Sequence, residues 1–79
     1  MNRFDAFLLD LLVTGGCSTE FKAIKVSEIN SSATPRTVYL SLVKLIKSGY
    51  VAHGLMDGHK KTYYATEKGL EYHKGVIAD

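Results

Sequence analysis

The stretch "ATPRTVYLSLVKLIKSGYV", residues 33–51, constrains the fold more than any other part of the chain. It carries start and stop signals for one helix. Thr34 can cap it, because its hydroxyl can accept a hydrogen bond from a free first-turn N–H. Pro35 suits the first helical position, where its missing N–H would be unpaired anyway. Gly49 can end the helix in a left-handed conformation. At about 100° per residue, Val38, Leu42, Leu45 and Ile46 make one face, with Tyr39 and Val43 at its edge. Thr37, Ser41, Lys44 and Ser48 read as its polar side, flanked by Arg36 and Lys47, and Leu40 sits there as an apolar residue. Such a helix packs by one side and offers the other.

The flanking segments suggest what it packs against. Residues 3–14 read as a first helix, with Phe4, Phe7, Leu8, Leu11 and Leu12 on one stripe and Leu9 and Val13 outside it. A helix apolar over most of its circumference is buried on more than one side. In so short a chain the second side can be a partner. "GGCSTEF" breaks this helix. Residues 19–32 read as a short extended piece near Ile24 followed by a short helix over 26–32; a helix starting near Thr19 is the alternative, with scattered apolar positions.

"GYVAHGLMDGHKKTYYAT" reads as a β-hairpin turning on Asp57-Gly58, with strands over 50–56 and 59–65. Alternation separates Tyr63 and Tyr64, and Tyr63 is the one expected in the core. A last helix follows, capped by Thr66, with Leu70, His73 and Ile77 on one stripe. The order is helix, short helix, helix, hairpin, helix. That is a helix-turn-helix followed by a wing. The expected class is α+β, mainly α: a winged helix-turn-helix of three helices, a two-stranded wing and a short C-terminal helix. One domain over residues 1–79 is expected.

Composition narrows the function. The formal net charge is only +2, so what matters for nucleic acid is whether the cations cluster. One cysteine cannot form an internal disulfide, which suits a reducing cytoplasm. "FDAFLLDLLV" is interrupted by Asp5 and Asp10, too short to span a bilayer and unlike a signal peptide. No phosphate loop, nucleophile elbow or paired acid and base suggests catalysis. His53, His59 and His73 lack metal-ligand spacing, leaving as the alternative a metal shared between subunits through Glu71 and His73. Cys17 has no basic neighbour before Lys22, so nothing marks a reactive thiolate. No cofactor is implied.

Two constellations point to DNA. Arg36, Thr37, Ser41 and Lys44 could enter a major groove, Arg36 pairing with guanine and the hydroxyls reaching bases or phosphates. Thr34 stands at the helix N-terminus, which favours a phosphate. His59, Lys60 and Lys61 stand at the wing tip, where lysines can track the backbone. The bland alternative is a solvated helix face and an edge strand charged to resist aggregation.

"RTVYLSLVKLIKSGYV" followed by "KKTYYATEKG" resembles the winged-helix regulators of the PadR group and, more loosely, the MarR group. The matching positions are Thr37-Val38-Tyr39, Leu42, Leu45, Gly49-Tyr50-Val51, Tyr63 and Thr66-Glu67-Lys68-Gly69, spread over about residues 36–70. The resemblance implies a dimeric, sequence-specific binder of double-stranded DNA, usually a transcriptional repressor. Carried over, Arg36, Thr37, Ser41 and Lys44 become base or phosphate contacts, and Lys60 and Lys61 become wing contacts. The chain departs from the pattern at Ala65, where the family has a larger apolar residue, and at Leu40. The long dimerising C-terminal helix is nearly absent. A homodimer would then use Phe4, Leu8, Leu9 and Val13 of the first helix with Leu70 and Ile77 of the last. No ligand-binding domain, hence no small-molecule effector, is evident. The competing reading is a winged helix that binds protein through Leu40, Tyr64 and the first helix.

Overall fold

A computed structural model describes residues 2–29, 31–56 and 58–78, with side chains through residue 75. Three α-helices surround a small antiparallel sheet: α1 (Arg3–Thr14), β1 (Ile24–Lys25), α2 (Pro35–Lys47), β2 (Val51–His53), β3 (Thr62–Ala65) and α3 (Glu67–Ala78). The class is α+β, mainly α, in the winged helix-turn-helix arrangement.

α1 begins where the Asn2 side chain accepts the Asp5 N–H at 2.8 Å. Its inner stripe is Asp5, Leu8, Leu9 and Leu12. Of the expected stripe of Phe4, Phe7, Leu8, Leu11 and Leu12, Leu8 and Leu12 are core, but Phe7 is exposed and Leu9, expected outside the stripe, is core. Residues 5, 8, 9 and 12 are equally at helical spacing. A carboxylate in that set hid it from a reading based on apolar residues.

α2 follows the sequence signals closely. Thr34 accepts the Thr37 N–H at 3.3 Å, Pro35 opens the helix, and Gly49 has φ +84°. Val38, Leu42 and Leu45 are buried against α1 and the sheet, and join Leu8, Leu9, Leu12, Cys17, Val51, Tyr63 and Ala65 in the core. Tyr63 is inside, as alternation requires, and Tyr64 is half-buried.

The short helix expected over 26–32 shrinks to one 3-10 turn, Val26–Glu28. Two local bonds explain this. The Glu28 carboxylate accepts the Lys25 N–H at 3.2 Å and closes the turn. The Ser31 hydroxyl then accepts the Ala33 N–H at 3.1 Å, which competes with helical continuation.

The wing also differs. β3 is the middle strand, in the order β1-β3-β2. Val51 pairs with Ala65 and His53 with Tyr63; Ile24 pairs with Tyr63 on the other edge. This register does not fit a two-residue turn centred on Asp57-Gly58, and the strands end at His53 and Thr62. Asp57 lies outside the described residues; Gly58 has φ +63°. The ladder stops because the chain changes partners. The Thr62 hydroxyl donates to the Leu55 carbonyl at 2.6 Å, and the Leu55 N–H turns to the Glu20 carbonyl at 3.4 Å. Gly54 makes the crossing possible. A Cβ there would collide with the Ala23 methyl and lie 2.8 Å from the Glu20 carbonyl oxygen.

Gly54→Ala should therefore cost roughly 1–3 kcal/mol of stability through overpacking. Urea denaturation measures it, with a shift in midpoint at unchanged slope as the expected result.

Candidate nucleic-acid interface

The N-terminal half of α2, the turn at Val26 and the loop joining β2 to β3 enclose a groove of about 450 Å³. Lys25, Val26, Ser27, Pro35, Tyr39 and Tyr63 line it, together with His59, Lys60 and Lys61 from the wing. The three wing residues are exposed, and the structure brings them to within one groove of the start of α2. Thr34, Arg36 and Thr37 are exposed beside it. The Thr34 and Thr37 hydroxyls lie 3.0 Å apart and share one hydrogen bond. The groove has a cationic rim and an apolar wall of Pro35, Val26 and Tyr39. Burial first, and the nearby Tyr39 phenol second, push the Tyr63 phenol above its ordinary range, so it stays protonated.

Two expected contacts are placed elsewhere. Ser41 is only 2% exposed, and its hydroxyl donates to the Asp5 carboxylate of α1. It faces the core and is corrected as a DNA contact. Lys44 remains exposed, but its Nζ lies 3.4 Å from the same carboxylate. The cause is the rotation of α2. Its buried face is centred between Leu45 and Val38, which carries Ser41 inward and turns Arg36, Leu40 and Lys47 outward. Sequence reasoning missed Asp5, Lys25 and Tyr39. Asp5 had a signal, since it stands three and four residues before Leu8 and Leu9. Lys25 had none, because only the β1–β3 pairing brings it to the wing.

The expected dimer surface is largely spent inside the protomer. Leu8 and Leu9 are fully buried core residues and are corrected as partner contacts. Phe4, Val13 and Leu70 are half-buried against the same core. The Ile77 side chain lies outside the described residues. The large apolar side chains left exposed include Phe7, Phe21, Leu40, Leu55 and Met56.

Cys17 and His73 are both engaged in the fold. The Cys17 thiol is buried, and burial first, then the Glu28 charge, raise its pKa above the ordinary thiol range. That disfavours thiolate chemistry. His73 Nε2 lies 2.6 Å from Asp10 Oδ1, joining α3 to α1. Among the described residues no cluster of three or more His, Cys, Asp or Glu side chains could hold a metal ion. No described helix is long and apolar enough to cross a membrane.

Ser41→Ala should lower stability by roughly 1–3 kcal/mol, because a buried carboxylate loses a donor. Affinity of the folded variant for duplex DNA should be unchanged. A loss of affinity at intact stability would return Ser41 to the DNA surface.

No family model matches the chain. It is 29% identical over 79 residues to the DNA-binding protein TubR of Clostridium botulinum C phage, covering 98% of each chain. Two solved structures share its fold. TubR from Bacillus megaterium pBM400 superposes with a TM-score of 0.88 at 23% identity, over 100% of this chain and 89% of that one. The solution structure of the DNA-binding TubR fragment from Clostridium botulinum gives 0.80 at 29% identity, over 96% of each. The chain is thus similar to TubR DNA-binding proteins over nearly its whole length.

Proposed function

We propose that this protein binds double-stranded DNA with sequence preference and regulates transcription, as a repressor acting in the cytoplasm. The observation that carries the reading is the groove between α2 and the wing, where His59, Lys60 and Lys61 face the start of a capped helix across an opening of about 450 Å³. The similarity to proteins named for DNA binding supports it. The PadR-like blocks of sequence support it independently, since they fall on α2, the wing and the start of α3.

In this reading the first turns of α2 enter the major groove, with Arg36 and Thr37 toward the bases. Thr34 and the helix N-terminus favour a phosphate. Lys60 and Lys61, with His59, follow the backbone or the adjacent minor groove. Two protomers would read an inverted repeat with half-sites about one helical turn apart. With Leu8 and Leu9 inside the core, the dimer draws on side chains that the fold leaves outside. No cofactor, effector or catalytic step enters the reading.

Fluorescence anisotropy with duplex DNA across a salt series tests it. Replacing Lys60 and Lys61 by alanine should weaken all sequences alike and reduce the salt slope by roughly 0.9 per lost phosphate contact. Arg36→Ala should instead relax sequence preference, at a cost of roughly 1–3 kcal/mol. Wild-type binding by both variants would remove this surface from the DNA interface.

A second reading has one observation in its favour. Leu40 is 49% exposed at the centre of the outer face of α2, where a solvated helix would carry a polar residue. A protein contact there would make the domain an interaction module. The salt series discriminates, since an interaction module shows no salt-sensitive duplex binding at low ionic strength, and Leu40→Glu locates the contact. If the residue meets a second copy, sedimentation equilibrium should show dimers becoming monomers, with thermal stability of the monomer unchanged.

A further inference from the structure

Tyr39 has no task in the DNA reading so far, and its position gives it one. It stands one turn inside the N-terminus of α2, next to buried Val38, yet is itself 43% exposed. It lines the groove beside Pro35 and Val26, across from Lys60 and Lys61. The lysines match the charge of phosphates. The apolar wall does not, because a phosphate offers nothing that gains from leaving water against an aromatic ring.

The edges of the base pairs do offer such a group. In the major groove the apolar feature of the recognition code is the thymine 5-methyl, and every other feature there is a donor or an acceptor. A half-exposed ring on the first turns of a helix entering that groove is placed to meet it. Leu40 is not equivalent: it is turned about 100° around the helix and does not line the groove. We infer that Tyr39 is a specificity-determining contact, its ring packing on the methyl group of a thymine at a fixed position of the bound sequence. This rests on the proposed DNA reading. The phenol hydroxyl is not the selective element, since it can donate or accept and so accommodates several base edges.

The test separates the two claims. Duplexes bound by the wild-type protein are selected from a random library. Each thymine of the selected site is then replaced, one at a time, by uracil, which removes the methyl alone. Anisotropy at fixed salt gives affinities for the wild type, Tyr39→Phe and Tyr39→Ala. Tyr39→Gln repeats the ring-free arm with a good helix former. One uracil position should weaken the wild type and Tyr39→Phe by roughly fourfold, the worth of one methyl leaving apolar contact. The same replacement should leave Tyr39→Ala and Tyr39→Gln unaffected. If the ring-free variants keep the uracil penalty at every position, the inference fails and the DNA reading stands. If they lose affinity equally for selected and unselected duplexes, Tyr39 contacts the backbone and the inference also fails. If the wild-type protein shows no salt-sensitive duplex binding at low ionic strength, the DNA reading fails and takes the inference with it.

Discussion

Asp5 is a carboxylate taken out of water on the inner stripe of α1, and a buried charge must be held by donors or it destabilises the fold. Its partners are both on α2: the Ser41 hydroxyl and, at 3.4 Å, the Lys44 ammonium. Hydrophobic packing of Leu8, Leu9 and Leu12 on Val38, Leu42 and Leu45 draws the two helices together but tolerates some rotation about their axes. A directional bond to a buried carboxylate does not. With Ser41 held against Asp5, Arg36, Leu40 and Lys47 face outward, and Tyr39 faces the wing. The chemistry of the exposed surface thus depends on a contact made on the opposite side of the helix.

A second constraint acts on the wing. β3 is hydrogen-bonded on both edges, to β1 and to β2. That places Tyr63 and Ala65 firmly in the core, and it delivers Lys25 from β1 to the same groove as Lys60 and Lys61. The far end of the hairpin is tied instead to the 3-10 turn at Glu20–Lys22 through Leu55. α3 is seated from the other side, where the Thr66 hydroxyl donates to the Gly49 carbonyl at 2.6 Å and the Lys68 ammonium to that of Ser48 at 2.8 Å. The C-terminal end of α2 is therefore clamped, while its N-terminal turns pack on the Val26–Glu28 turn and form one wall of the groove.

The parts of this arrangement that were legible in the sequence are those set by local chemistry. Thr34, Pro35 and Gly49 mark α2 because caps and left-handed turns act within a few residues. Tyr63 was assigned inward because strand alternation is local too. The parts that were not legible depend on partners far along the chain. Ser41, three residues after Val38 and four before Leu45, is at helical spacing with the buried face, but its partner Asp5, thirty-six positions earlier, is not legible from the helix itself. The two-residue turn at Asp57-Gly58 was the natural reading of that dipeptide. It was overruled by Glu20 and Ala23, which compete for the strand and require Gly54. Leu8 and Leu9 were assigned to a partner because the first helix is apolar over most of its circumference, and spacing alone does not say which of its sides the rest of the chain covers.

The distribution of charge bears on how such a small domain can hold DNA. The net charge of +2 would attract a polyanion only feebly if it were spread evenly. It is not spread evenly. His59, Lys60 and Lys61 meet at one groove with Lys25, which is paired with Glu28 at 3.9 Å, while the Asp5 charge is countered within the fold by Lys44. The local field is therefore more positive than the total suggests. Even so, the two wing lysines can release only a few counterions per copy, each contributing about 0.9 to the salt exponent. A single protomer held by so few phosphates would bind weakly at moderate salt. Two features of the fold can make up the difference. A second copy on the same duplex doubles the exponent, and apolar contacts to base edges add affinity that salt does not screen. In the proposed reading Tyr39 on α2 supplies the apolar contact to a base edge, and a second copy is held by apolar side chains that the fold leaves exposed, Leu40 among them.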